Sequence, residues 1–266
     1  MGTAGATRDL AVYRQIAPDN IYLQGSTKTY VIGREFSPVF NYDVERVLSH
    51  LSHGFVQEKD GGAGLVSCEI PGSLSRPRVD IVAALSRAIN MQKPVQVRYC
   101  SISSGWGERE LIPHSLVDSG QRWHVRSFDR KSQEFRDFVI TRIDSAEVLE
   151  GGPPLTKHER MQADNQWTRI VELVLKPHPA VLRTEIIERD YGMTNGMLKV
   201  ELRAALAGYF LRQWQVDCSP NCDLGDEGFQ LCLDNPLALY GVKNLKLAPG
   251  YKPVADSSTD RGISHE

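Results

Sequence analysis

The chain has 266 residues, with 31 Lys and Arg against 33 Asp and Glu and a formal charge of −2. That length accommodates two or three units with cores of their own, and the near-neutral balance excludes a surface that is basic everywhere, so any nucleic-acid contact has to come from local clusters of Arg and Lys. Five cysteines without CxxC spacing, and no apolar run of spanning or signal length, point to a reducing cytosol and no membrane partner.

The first predicted element is a short helix in ATRDLAVYRQIAPDN, where Leu10, Tyr13 and Ala17 recur at helical spacing and Pro18, Asp19 and Asn20 supply a stop. IYLQGSTKTYVIGREF follows as a hairpin around Gly25, Ser26 and Thr27. Helix then hairpin is the tail of a winged helix, assigned to residues 1–40. Residues 41–93 read as a helical connector. In it Asp43 caps a helix with Val44, Val47, Leu48 and Leu51 on one face, Gly61, Gly62 and Gly64 interrupt, and a stronger helix runs from Ser75 to about Lys93 with Val82, Leu85 and Ile89 on its stripe.

From residue 94 to 150 the period changes to two. VQVRYCSI, ERELIPHSLV, RWHVRSFD, EFRDFVIT and a run through Val148 give five short strands with no helix between them, which predicts a small SH3-like or Sm-like β-barrel. Gly151, Gly152, Pro153 and Pro154 break the chain, and residues 151–166 read as a linker. Residues 167–250 alternate strand and helix as a small α/β unit: TRIVELVLKP, HPAVLRTEIIERDY, GMLKVELRA and LAGYFLRQWQV. In the first of these helices Val181, Leu182, Ile186 and Ile187 form an apolar stripe expected to face the core. Residues 251–266 read as a flexible tail. The fold class is α+β, multidomain.

The barrel segment concentrates the chemistry. Alternation along QRWHVRSFD places Arg122, His124 and Arg126 on one face, with Trp123 and Val125 expected in the core. The next strand presents Arg136, Phe138 and Ile140 on one side, with Arg142 close behind. A guanidinium binds phosphate through two parallel charge-assisted hydrogen bonds, and an aromatic beside it stacks a base. The competing reading is a solvated face on which Glu108, Glu110, Asp118, Asp129, Glu134 and Asp137 pair with those arginines. Cys218, Cys222 and Cys232 supply only three zinc ligands, so no metal is expected. His114 and His124 with Asp118 or Asp129 and the serines at 101–104 can be drawn as a hydrolase triad, but no nucleophile elbow, phosphate loop, HExxH or dinucleotide fingerprint accompanies them. The chain is therefore read as a non-enzyme without a cofactor.

The stretch PVQVRYCSISSGWGERELIPHSLVDSGQRWHVRSFDRKSQEFRDFVITRI resembles the WYL domain of bacterial transcription regulators, with Trp123, His124 and Val125 where the namesake Trp-Tyr-Leu stands. The similarity extends to APDN with its hairpin and to HPAVLRTEIIERDYGM, which look like the winged-helix and C-terminal modules of WYL repressors associated with phage defence. The resemblance implies a homodimeric repressor: a winged helix-turn-helix for operator DNA, a WYL barrel sensing a nucleotide or oligonucleotide ligand, and a ferredoxin-like C-terminal module that dimerises. Carried over by position, the ligand pocket involves Tyr99, Ser101, His114, His124, Arg126, Arg136, Phe138 and Arg142. Thr7 and Arg8 on the recognition helix, with Lys28 in the wing, are the DNA-contacting candidates. The sequence starts at the recognition helix, without the two framework helices the family motif has, so weak operator binding is expected. Alternatives are an accessory WYL protein that binds single-stranded nucleic acid without repressing, and a nucleotide hydrolase.

Overall fold

The computed structural model describes residues 3–37, 39–40, 74–151, 154–225 and 228–252. They fall in two compact units, one within Met1–Gly72 and one spanning Ser73–Glu266. The helix expected after Asp43, the glycines at 61–64 and most of the tail lie outside the described residues.

In the first unit α1 (Thr3–Ile16) is followed by a hairpin of β1 (Ile21–Gln24) and β2 (Thr29–Ile32). Asn20 fastens the helix to the hairpin. Its buried side chain donates to the Tyr13 hydroxyl at 2.9 Å and to the Ser37 carbonyl at 2.6 Å, and accepts from the Ser37 amide at 2.9 Å. Gly33 permits this closure, because a Cβ there would lie 1.8 Å from the Asp19 carbonyl oxygen. Thr7 and Arg8 are exposed on α1, and Lys28 is exposed in the turn with φ 54°.

The second unit opens with α2 (Val79–Met91), which buries Ile81, Leu85 and Ala88. It starts after Arg78, whose backbone is extended, and ends where Gln92 turns left-handed (φ 50°) ahead of Pro94. Five antiparallel strands follow: β3 (Val95–Ser101), β4 (Gly105–Asp118), β5 (Trp123–Asp129), β6 (Glu134–Val139) and β7 (Ile143–Val148). Their order is β6-β5-β4-β3-β7, so the last strand returns to the first, and a single 3₁₀ turn, Ile140–Arg142, carries the chain from β6 to β7. Val95, Val97, Tyr99, Leu111, Val125, Phe138 and Ile143 form one core with α2. Val125 is fully buried as its alternation predicts, but Trp123 is 43% exposed. Trp123 begins β5 opposite Asp118, the last residue of β4, and so sits at the rim of the sheet rather than in the core.

The predicted linker is anchored over its described residues. Thr156 and Glu159 form a capping box, Glu159 accepts from Arg130 at 2.6 Å, and Arg130 also reaches Glu110 at 2.6 Å. Asp164 then caps the one-turn helix α3 (Asn165–Thr168), accepting from the Gln166 and Trp167 amides.

The C-terminal module contains β8 (Ile170–Pro177), α4 (Thr184–Asp190), β9 (Leu198–Arg203), α5 (Ala204–Gln213), β10 (Val216–Asp217) and β11 (Leu231–Leu233). The sheet order is β10-β11-β8-β9, over a core that includes Leu173, Leu175, Leu211 and Leu231. This corrects the ferredoxin-like expectation, which requires parallel βαβ crossovers: β8 and β9 are antiparallel neighbours, and the parallel pair is β10 with β11. The helix expected from His178 begins only at Thr184. His178 is instead buried against Asp217 at 3.1 Å, which holds the preceding segment as a loop. The stripe shifts accordingly, with Ile187 buried, Leu182 fully exposed and Ile186 half-exposed. Cys222 and Cys232 are brought side by side, with their Cα atoms 5.9 Å apart. Cys218 is buried, and burial pushes its thiol pKa up to about 12. Among the described residues no His, Cys, Asp and Glu cluster is placed to hold a metal, and no helix is long and apolar enough to cross a membrane.

Candidate ligand-binding site

The register of β5 against β6 decides which predicted site residues meet. His124 pairs with Val139 and Arg126 with Asp137, whereas Val125 pairs with Phe138 and Ser127 with Arg136. Directly opposed residues share a face, so Phe138 and Arg136 lie on the other side of the sheet from His124 and Arg126. Phe138 is in the core, edge-on to Tyr99 with ring centroids 5.1 Å apart. Arg136 is exposed beside Glu134, at 3.5 Å.

Arg126 is buried and its fork is engaged. Nε and Nη2 donate to the two carboxylate oxygens of Asp164 at 2.7 and 2.9 Å, and Nη1 donates to Asp137 at 3.2 Å. His114 joins the same cluster, with Nε2 3.3 Å from Asp164 and Nδ1 2.9 Å from the Ser115 hydroxyl, between the rings of Phe135 and Trp167. Burial alone would raise the Asp164 pKa, but the His114 and Arg126 contacts outweigh it and hold the carboxyl well below the usual range. Tyr209 on α5 completes the chain by donating to the other oxygen of Asp137 at 3.1 Å. Burial, and then the Asp137 charge, push the Tyr209 hydroxyl well above the ordinary phenol range. These groups form a satisfied buried network that ties the five-stranded sheet to α3 and α5.

Beside that network lies a cavity of about 240 Å³ between the rim of the sheet and α5. Tyr99, His124, Asp137 and Tyr209 line it together with Arg122, Arg142 and Arg212. Those three guanidinium groups have no hydrogen-bond or ion-pair partner among the described residues. His124 stacks on Tyr209 at 5.0 Å and is 7% exposed, and its Nδ1 makes no hydrogen bond of normal geometry. Burial lowers the His124 pKa, the Asp137 charge and the Arg122 carbonyl oppose it, and the Arg122 and Arg142 charges push it further down. At neutral pH the ring is therefore uncharged, in the wall of a cavity that Arg122, Arg142 and Arg212 also line. Such a cavity is chemically suited to an anion bearing a polar ring.

Of the eight ligand-site candidates, the structure brings Tyr99, His124 and Arg142 together here. Ser101 lines an adjoining hollow that shares Arg142. Arg126 and His114 lie in the ion-pair network and Phe138 in the core, while Arg136, on the same face as Phe138, is solvent-exposed beside Glu134. Sequence reasoning missed Tyr209, Arg212 and Gln213, which line the cavity from α5. Their i, i+3, i+4 spacing in LAGYFLRQWQV marks one polar face of a helix, but nothing in that pattern says what it faces.

A winged-helix segment, a five-stranded sheet with a cationic rim and a C-terminal α/β module together define a WYL-type regulator. The WYL domain family matches residues 80–148, the BrxR transcriptional regulator winged helix-turn-helix domain matches residues 1–53, and the BrxR C-terminal dimerization domain matches residues 170–239. Relatives include the DNA-binding transcriptional repressor CapW of Escherichia coli (strain KTE188), 32% identical over 89% of this chain and 80% of that one. CapW of Pseudomonas aeruginosa is also 32% identical, over 86% of this chain and 78% of that one. The chain belongs to the CapW family of WYL-domain proteins. Among solved structures, the proteasome accessory factor PafBC of Arthrobacter aurescens covers 59% of this chain and 24% of that one, at 18% identity and a TM-score of 0.28.

Proposed function

We propose that this protein is a homodimeric DNA-binding transcriptional repressor, linked to phage defence, whose WYL sheet senses a nucleotide or nucleic-acid ligand. The cavity carries this reading: three unpaired arginines and an unpartnered His124 nitrogen are costly to gather unless an anion joins them. The ligand contacts are Arg122, Arg142, Arg212, His124 and Tyr209. Operator contacts come from Thr7, Arg8 and Lys28, and dimerisation from the C-terminal module, where Leu182 and Ile186 stand exposed. That the CapW relatives are DNA-binding transcriptional repressors supports the DNA reading. A repressor that acts on operator DNA works in the cytoplasm, and that is the location this reading proposes.

We also infer that the five strands roll into a small barrel. Flat, the edges β6 and β7 would stand about 19 Å apart at about 4.8 Å per strand, yet the three-residue 3₁₀ turn joining them rises only about 6 Å. The contact of Tyr99 on β3 with Phe138 on β6 supports the same curvature.

A ligand alters DNA affinity only by binding the two states unequally. The test is a low-salt mobility shift with DNA from upstream of the flanking genes, with and without added nucleotides and short oligonucleotides. A specific shift that changes with ligand is expected, together with loss of that response when Arg122, Arg142 and Arg212 are all replaced by Gln. Equal binding to scrambled DNA refutes the repressor reading, and an unchanged response in the triple variant refutes the site.

A further inference from the structure

The chain that leaves β10 turns back on itself at once. Asp217, buried at the end of β10, accepts from the Ser219 amide at 2.7 Å and the Leu224 amide at 3.0 Å while it pairs with His178. Ser219 accepts from the Asp223 amide through its hydroxyl at 2.9 Å, and from the Cys222 amide through its carbonyl at 3.2 Å. This turn sets Cys222 at φ 51°, in the left-handed region that side chains other than those of Asn and Asp seldom adopt.

Cys232 faces the turn from β11, the strand between β10 and β8, where it pairs with Asp217 and Lys176. Cys232 is fully buried and Cys222 half-buried. Their Cα separation of 5.9 Å lies within the range of about 4.4–6.8 Å that a disulfide spans without moving the backbone. A buried cysteine is often just a small apolar side chain. That account suits Cys218, which belongs to the apolar core, donates to the Val216 carbonyl at 3.4 Å and is kept protonated by burial. It does not suit Cys222, half-exposed on a left-handed turn beside a second thiol.

We propose that Cys222 and Cys232 are a reversible dithiol–disulfide pair, through which an oxidant of the peroxide class braces the C-terminal module. In the reducing cytoplasm both stand as thiols, and Asp217 holds the turn ready in either state. The accessible Cys222 sulfur, as thiolate, attacks a peroxide oxygen; the O–O bond breaks, water leaves and Cys222 becomes a sulfenic acid. The Cys232 sulfur then attacks the Cys222 sulfur, the S–O bond breaks, and the oxygen leaves as a second water with the Cys232 proton. Two thiols have given two electrons to the peroxide, and a dithiol reductant returns them. The bridge ties the turn to β11. The bracing extends further, because Gln230 in the same loop accepts from the His178 amide at 2.9 Å and, through its side chain, from the Tyr191 hydroxyl at 3.3 Å. Those two residues flank the segment that exposes Leu182 and Ile186. Both cysteines lie within residues 170–239, the part matched by the dimerization domain.

The test treats the full chain with hydrogen peroxide, blocks remaining thiols by alkylation, and maps the peptides by mass spectrometry. A loss of two hydrogens in a peptide pair joining Cys222 to Cys232 within one chain is expected, restored by dithiothreitol without unfolding. Closing so short a loop should raise the melting temperature of the oxidised protein by about 5–10 °C. Amide exchange should slow in residues 217–230 and 178–191. Cys222→Ser, on the half-exposed turn, should leave the reduced protein's melting temperature unchanged and abolish the rise, whereas Cys100→Ser should keep it. Free thiols at both positions after peroxide, a bridge to another cysteine, or a bridge that dithiothreitol fails to open in the folded protein overturns the proposal. So does a bridge that leaves the melting temperature unchanged, or a rise that Cys222→Ser retains.

Discussion

Replacing Arg126 by Ala tests whether this arginine holds the fold or the ligand. Its side chain is 7% exposed and faces Asp164 at 2% and Asp137 at 11%, so the substitution strands two carboxylates that water barely reaches. Removing one partner of a buried ion pair costs about 3–5 kcal/mol. For a unit the size of Ser73–Glu266 each kcal/mol moves the melting temperature by about 2–4 °C, so a fall of about 6–20 °C is expected in calorimetry or a thermal-shift assay. The pH dependence carries a sign. Asp164 has a depressed pKa in the folded protein, so its contribution is present above the unfolded carboxyl value and is lost as pH falls through the depressed one. In Arg126→Ala the part of that depression due to Arg126 is relieved while the His114 contact remains, so the gap between variant and parent narrows as pH falls below about 4. A melting point lowered by less than 2 °C, or a gap that widens in acid, would refute the assignment of Arg126 to structure and return it to the ligand site.

Gly208→Ala provides a second test, because helix propensity alone predicts a gain of up to about 1 kcal/mol. A Cβ at Gly208 would lie 2.2 Å from the Asn244 carbonyl oxygen, so a loss of stability in urea denaturation is expected instead. The third concerns His124, which is neutral at pH 7 with its pKa depressed. An anionic ligand favours the protonated ring and raises that pKa, so ligand affinity should rise as pH falls from neutral toward the depressed pKa of the free ring, and His124→Gln should flatten the profile. Titration calorimetry at several pH values reads this out, and a profile that His124→Gln leaves unchanged counts against the ring's place beside the anion.

The sequence by itself determined the elements. Period-two alternation in residues 94–150 locates all five strands, because each strand has one face against the core, and the apolar spacing of α2 and the Asn20 turn follow from equally local chemistry. Three of the candidates it singled out, Arg142, His124 and Tyr99, line one cavity. What it left open was pairing. Alternation shows that Arg136 and Phe138 share a face, but only the register of β6 on β5 shows that this face is opposite to that of His124 and Arg126. Counting charges shows that Asp137 and Arg126 are able to pair, but only the packed structure brings Asp164, 38 residues away, to take two of the arginine's donors and so withdraw it from the ligand. The α5 contribution is likewise non-local: Tyr209 and Arg212 come to line the cavity because the C-terminal module packs on the sheet rim. Local sequence fixes φ, ψ and burial period, whereas a binding site is assembled from side chains that only long-range packing makes neighbours.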